Sequence, residues 1–97
     1  MSGMAAALEV RNNPLIDGKV EIRFTLGEAE RVDVRIYDIA GRLIRRLADD
    51  RLPAGNQVVT WDGRDGHARA LPPGLYYARV SYLDSGTQQA TQIVILK

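Results

Sequence analysis

His67 is the only histidine of the 97-residue chain, and Ser2, Ser81 and Ser85 are its only serines. A histidine-assisted serine nucleophile would have to be assembled from these. Nucleophilic catalysis needs a hydroxyl or thiol beside a base that a third group orients. Cysteine is absent, no serine stands at a sharp strand-to-helix turn, and His67 lies in a loop of small and polar residues. These positions read as surface, and no catalytic residue is assigned.

Three other groupings invite a chemical reading. Asp38, Asp62 and Asp65 could gather oxygen ligands for calcium, which wants six to eight. Their spacing lacks the repeated Asp/Asn positions of a calcium loop, and Asp62 stands before Gly63, so backbone bonding within its own turn is the expectation. Arg42, Arg45, Arg46 and Arg51 form the densest basic run and could meet phosphate or an acidic partner. Asp49 and Asp50 interrupt it, which favours a solvated face. Trp61, Tyr76 and Tyr82 would make a sugar-binding platform if exposed, but alternation puts all three on the core side.

These groups must be positioned by a single small domain. A chain of this length buries roughly 65% of its unfolded surface, enough for a modest core without metal or disulfide. The formal net charge of +1 argues against a polyanion-binding module. Eleven of the thirteen basic residues are arginine, which reads as coding bias. No apolar run approaches the roughly 20 residues of a membrane helix. The start of the chain does not read as a signal peptide. Residues 1–4, Met-Ser-Gly-Met, read as an added remnant, and residues 5–97 as one domain taken from a longer polypeptide.

Period-two alternation marks the strands. In residues 19–26, Val20, Ile22, Phe24 and Leu26 face one way and Lys19, Glu21, Arg23 and Thr25 the other, the pattern of a half-buried antiparallel strand. Residues 31–36 repeat it with Val32, Val34 and Ile36. Asp38 to Gly41 fit a type I turn. Residues 42–52 suit either an amphipathic helix of about two turns or a bulged strand. Further strands are expected at 6–11, 57–61, 76–82 and 88–96. Trp61-Asp62-Gly63 ends one strand in a bulky anchor and an Asp-Gly turn, and Pro73-Gly74 braces the strand holding Tyr76. About seven short strands at this spacing predict an all-β, immunoglobulin-like or fibronectin-III-like antiparallel sandwich.

The residues also carry a family resemblance. Asn13-Pro14, Ile22-Arg23-Phe24, Val34-Arg35-Ile36-Tyr37-Asp38 and Gly41-Arg42 come in order. Gly55, Val59-Thr60-Trp61-Asp62-Gly63-Arg64-Asp65, Pro73-Gly74-Leu75-Tyr76 and the closing Ile93 to Lys97 follow. Together they resemble the Ig-like domains typified by the flagellar hook-capping protein and by the type A C-terminal sorting domains of type IX secretion. The likeness runs over residues 7–97. It departs at Gln92, near which sorting domains carry a basic residue.

The resemblance implies a noncatalytic accessory module of a larger exported bacterial protein, located extracellularly or on the cell surface. It would serve as a C-terminal sorting or anchoring domain, its partners being the parent polypeptide and secretion machinery. The alternative is a structural or assembly module contacting copies of itself, and after that an adhesive sugar-binding module. No enzyme activity, cofactor, metal, nucleic acid or membrane insertion is expected. Ile93, Val94, Ile95, Leu96 and Lys97 form the candidate partner surface, because the last strand is apolar on both faces. Its second face needs a cover, unless the strand is interior and shielded by residues 42–52. Trp61, Asp62, Gly63, Gly74 and Tyr76 are the expected structural anchors.

Overall fold

The computed structural model describes residues 8–96, and among these the chain forms seven strands and no helix. The proposed remnant at 1–4, the first residues of the expected 6–11 strand and Lys97 lie outside the described residues. The strands are β1 (Glu9–Arg11), β2 (Val20–Leu26), β3 (Glu30–Asp38), β4 (Leu43–Leu52), β5 (Gly55–Trp61), β6 (Gly74–Tyr82) and β7 (Thr87–Ile95). They form an antiparallel three-stranded sheet, β1-β2-β5, packed on a four-stranded one, β4-β3-β6-β7. The fold is the Ig-like sandwich that the alternation predicts.

Alternation also decides which side chains fill the space between the sheets. Val20, Ile22, Phe24 and Leu26 point inward from β2, Val32, Val34 and Ile36 from β3, and Ala78 and Val80 from β6, all buried. Two edge-to-face aromatic pairs cross the gap. Trp61 of β5 meets Tyr76 of β6 at 5.9 Å, and Phe24 of β2 meets Tyr82 of β6 at 6.1 Å. Such pairs contribute about 0.5–1.5 kcal/mol beyond the area they bury.

The ambiguous stretch is strand β4, and its register explains the ambiguity. Pairing with β3 skips Leu47 between Val34↔Ala48 and Arg35↔Arg46, and skips Ile44 between Ile36↔Arg45 and Tyr37↔Leu43. Each bulge inserts one unpaired residue. Ile44 and Leu47, three positions apart, therefore imitate a helical spacing while belonging to a strand.

β7 is an edge strand, on the side of the sheet away from β4. The idea that residues 42–52 shield an interior last strand is thus corrected. Residues 13–15 leave the β1 sheet and join the open edge of β7, running parallel to it at Leu15↔Ile95. Leu15 N donates to Val94 O at 2.7 Å, and Leu96 N donates to Leu15 O at 3.0 Å. Asn13 extends the join with its side chain: Nδ2 donates to Gln92 O at 3.2 Å, and Val94 N donates to Oδ1 at 2.9 Å.

Candidate functional site

The loops after β5 gather much of the polar chemistry. Trp61 is 1% exposed and donates Nε1–H to Arg64 O at 2.9 Å, so the loop closes over the ring. Asp62 Oδ1 accepts from Arg64 N at 3.1 Å, a turn bond of the kind Asp-Gly sequences make. The same oxygen accepts from Arg45 Nη1 at 2.8 Å, tying the β4 edge to the end of β5. Gly63, at φ +79°, is buried, and a Cβ there would stand 2.8 Å from Leu15 Cδ2. Gly74, at φ +150°, opens β6, and Tyr76 donates its hydroxyl to Pro72 O at 2.7 Å. Burial raises the Tyr76 phenol above its ordinary pKa.

Asp38 and Asp65 head two copies of one turn. Asp38 Oδ1 accepts from Ala40 N and Arg42 N, both at 2.9 Å, and Asp38 N donates to Arg42 O at 3.0 Å. Asp65 Oδ1 accepts from His67 N at 2.8 Å and Arg69 N at 3.0 Å, and Asp65 N donates to Arg69 O at 2.9 Å. Backbone donation from Arg42 and Arg69 holds both carboxyl groups below the usual carboxylate range. The three aspartates thus serve separate turns. Among the described residues, no group of three or more His, Asp or Glu side chains could hold a metal ion.

The basic run is divided by the fold. Arg42 pairs with Asp38 at 2.8 Å, Arg45 with Asp62 at 2.8 Å, and Arg51 with Asp84 at 3.3 Å. Arg46 lies 3.7 Å from both Asp33 and Asp49. Arg45 reaches the β5 end of the sandwich, while Arg46 lies over the outer face of the four-stranded sheet. No continuous cationic surface results. On that outer face Asp33 is 8% exposed beneath Arg35, which grips it at 2.8 Å. The bond to Asp33 raises the Arg35 guanidinium further above its already high pKa.

Among the described residues, His67 and the serines are not brought together, and the three core-side aromatics form no exposed platform. His67 is exposed, Ser85 Oγ donates to Glu30 Oε1 at 2.8 Å, and Ser2 lies outside the described residues. Trp61, Tyr76 and Tyr82 are all buried. Tyr37 is half-buried, its hydroxyl accepting from Arg79 Nη2 at 2.6 Å with the guanidinium 4.6 Å from its ring centre. A cleft of about 370 Å³ lies between residues 15–18 and 62–64, over Ile95. No serine, threonine, tyrosine or histidine lines it.

The candidate partner surface separates into two halves. Ile93 and Ile95, 0% and 4% exposed, face the core. Val94 is half-buried opposite Leu75 on the outer face, and Leu96 is 56% exposed. Lys97 lies outside the described residues. The residue that sequence reasoning missed is Asn13, named only in the Asn13-Pro14 pair of the family resemblance. Asn before Pro signals a turn, but nothing local reveals that its amide will bond a strand 81 positions away.

Comparison with known proteins gives a consistent picture. The chain is 34% identical over 64 residues to the basal-body rod modification protein FlgD of Salmonella typhimurium, and equally to that of Salmonella typhi. The match takes in 66% of this chain but only 28% of those proteins. Among solved structures, FlgD of P. aeruginosa superposes with a TM-score of 0.66 at 22% identity, over 96% of this chain and 74% of that one. PorZ, a surface component of the type IX secretion system of Porphyromonas gingivalis, gives 0.66 at 22% identity over 93% of this chain and 11% of PorZ. Dimeric latent PorU from the same organism gives 0.68 at 21%, over 98% of this chain and 10% of that one. The family model of the FlgD Ig-like domain matches residues 11–86. The chain belongs to the FlgD Ig-like domain family.

Proposed function

We propose that this chain is a noncatalytic Ig-like accessory module of a larger exported bacterial protein, acting as a sorting or anchoring domain. Its folded surface, at the outer side of the end of β7, is what a partner reads. The observation that carries this reading is the division of the last strand. Ile93 and Ile95 close the core, while Val94 and Leu96 remain outside as apolar residues beside Leu75. The exposed Leu96 beside half-buried Val94 and Leu75 makes a small apolar patch of the kind a contact surface uses. The small share of PorZ and PorU that a domain of this shape occupies fits a module carried by a longer chain.

Deleting the end of β7 would not test the idea, because it removes core residues. The test is Val94→Glu with Leu96→Glu, in a reporter fusion exported by a bacterium with type IX secretion. Surface delivery is expected to fail while the melting temperature stays within a few degrees. Unchanged delivery by the folded variant overturns the sorting role.

A second reading, a structural module that assembles with copies of itself, is favoured by the identity to FlgD, a basal-body protein by its name. Self-association at micromolar concentration would support it, and a strictly monomeric domain would count against it.

A further inference from the structure

The outer face of the four-stranded sheet carries its charges in rows. Strand register sets Arg46, Arg35 and Arg79 side by side across β4, β3 and β6, and the row ends on β7 at Ala90. The adjoining row is Asp49, Asp33, Ser81 and Gln88. Like charges on adjacent strands repel, so each arginine of the row calls for an anion close by. Arg35 holds Asp33 at 2.8 Å, and Arg46 lies 3.7 Å from both Asp33 and Asp49. On β6 the pattern breaks. A serine stands where a third aspartate would answer Arg79, and Gln88 beyond it is neutral.

Arg79 is left incomplete as a result. Among the described residues, Arg11, Arg69 and Arg79 are the arginines without an ion pair, and of these Arg79 alone is half-buried. Its guanidinium lies 4.6 Å from the centre of the Tyr37 ring, and Nη2 donates to the Tyr37 hydroxyl at 2.6 Å. Nε is shut off from water and has no acceptor among the described residues. A buried donor on a charged group normally has one. Tyr37, accepting from Arg79, keeps its own hydroxyl proton to give. Donors and one unanswered positive charge therefore meet at a single place on the sheet.

We propose that Arg79 and Tyr37 form a receptor for a carboxylate, supplied by an aspartate or glutamate side chain of a protein partner. Guanidinium and carboxylate match as planar forks, and one negative charge balances the one left over. A phosphate group would bring about two, with Asp33 held close by under Arg35. The position also suits a polypeptide. Leu75, Tyr77 and Arg79 follow one another along the outer face of β6, which puts Arg79 about 13 Å from the Leu75↔Val94 pair, four residues at the rise of a strand. That pair belongs to the apolar patch read above as a contact surface, and the carboxylate site rests on that reading. An extended segment with an apolar side chain and, four residues on, an acidic one would meet both.

The test uses the whole chain, labelled with nitrogen-15, and two peptides: acetyl-Leu-Gly-Gly-Gly-Glu-amide and its counterpart ending in Gln-amide. Extended, either spans the distance from Leu75 to Arg79. The Arg79 Nε–H signal is expected to shift saturably in the millimolar range with the first peptide. The second should act at least about tenfold more weakly. Arg35 Nε–H, already donating to Asp33 at 3.0 Å, should keep its position. Arg79→Gln should abolish the peptide response of the Tyr77 and Ala90 amides with little change in melting temperature. Arg79→Lys keeps the charge but loses the fork, and should recover only part of that response. The comparison of the two peptides needs no variant, so it decides even if Arg79→Gln fails to fold.

An equal response to both peptides, a tighter response to inorganic phosphate than to the glutamate peptide, or full binding by Arg79→Gln overturns the proposal. Surface delivery lost in Val94→Glu/Leu96→Glu but kept in Arg79→Gln overturns the carboxylate's part in that contact and leaves the sorting role standing. Glutamate-selective binding with delivery intact in both variants overturns sorting and upholds the site.

Discussion

Gly41 and Ala68 occupy the same position in two copies of one turn, each with its N–H donating to the C=O of the aspartate three residues earlier. Gly41 has φ +83° and Ala68 has φ +64°. An L-residue pays roughly 1–2 kcal/mol for that left-handed conformation, whereas glycine adopts it freely. Glycine's larger unfolded-state entropy offsets some of the gain. Ala68→Gly is therefore expected to stabilise the domain by about 0.5–1 kcal/mol, and Gly41→Ala to destabilise it by a similar amount. Urea unfolding of both variants checks this, and shifts of the same sign would contradict it.

Acid sensitivity should concentrate in the aspartates of these turns. Backbone donation lowers the folded-state pKa of Asp38 and Asp65. A lowered pKa gives stability that is fully present above the unfolded value, near 4, and is lost as pH falls through the folded value. Stability should thus be flat near neutrality with respect to these groups and decline below about pH 4. Asp38→Asn and Asp65→Asn keep an acceptor oxygen and remove the titration. Each should flatten the acid limb of a stability–pH curve, and an unaltered limb in the double variant would refute the assignment.

Gly63 and Leu15 are coupled by contact. A Cβ at Gly63 would meet Leu15 Cδ2 at 2.8 Å, on a backbone at φ +79°. Gly63→Ala should cost more than the roughly 1 kcal/mol of the backbone strain alone. In a Leu15→Ala background the clash vanishes, and the cost should fall toward that value. A double-mutant cycle reads the difference directly, and strict additivity would show that Leu15 simply moves aside.

Trp61 joins the two sheets and the loop that follows it. Removing its side chain leaves a large cavity against Tyr76, so Trp61→Ala should cost about 3–5 kcal/mol, a large share of a typical domain's stability. Trp61→Phe keeps a ring but loses the bond to Arg64 O, and should cost less. Chemical denaturation orders the two variants. A parent-like melting temperature for Trp61→Ala would show that the ring contributes little to holding the sheets together.

Alternation made the sandwich legible, because β2 and β6 bury alternate residues without interruption, and β3 does so apart from Asp33, which is buried on the outer face under Arg35. It failed at β4 for a physical reason. Two bulges shift the pleat by one residue each, and the resulting Ile44–Leu47 spacing fits a helix as well as a strand. The turn at Asp65 escaped notice because alanine stands where Asp38's turn has glycine, although the Asp-to-Arg spacing is the same. The division of Ile93 and Ile95 from Val94 and Leu96 follows from period two. The join of residues 13–15 to the edge beside them does not, because it depends on a side chain standing in for backbone.

The bonds between residues 13–15 and β7 also determine how the domain answers force. The two segments run parallel, and four bonds join them: two from Leu15 and two from the Asn13 side chain. Tension entering before Asn13 and leaving after Leu96 draws these segments past each other along their length. All four bonds are then strained together, in shear, whereas the bonds of a hairpin pulled at its open end break in succession. Forced opening is governed by the rate of crossing that barrier and not by equilibrium stability. For a load applied between these two segments, this short splice is a latch strained in shear.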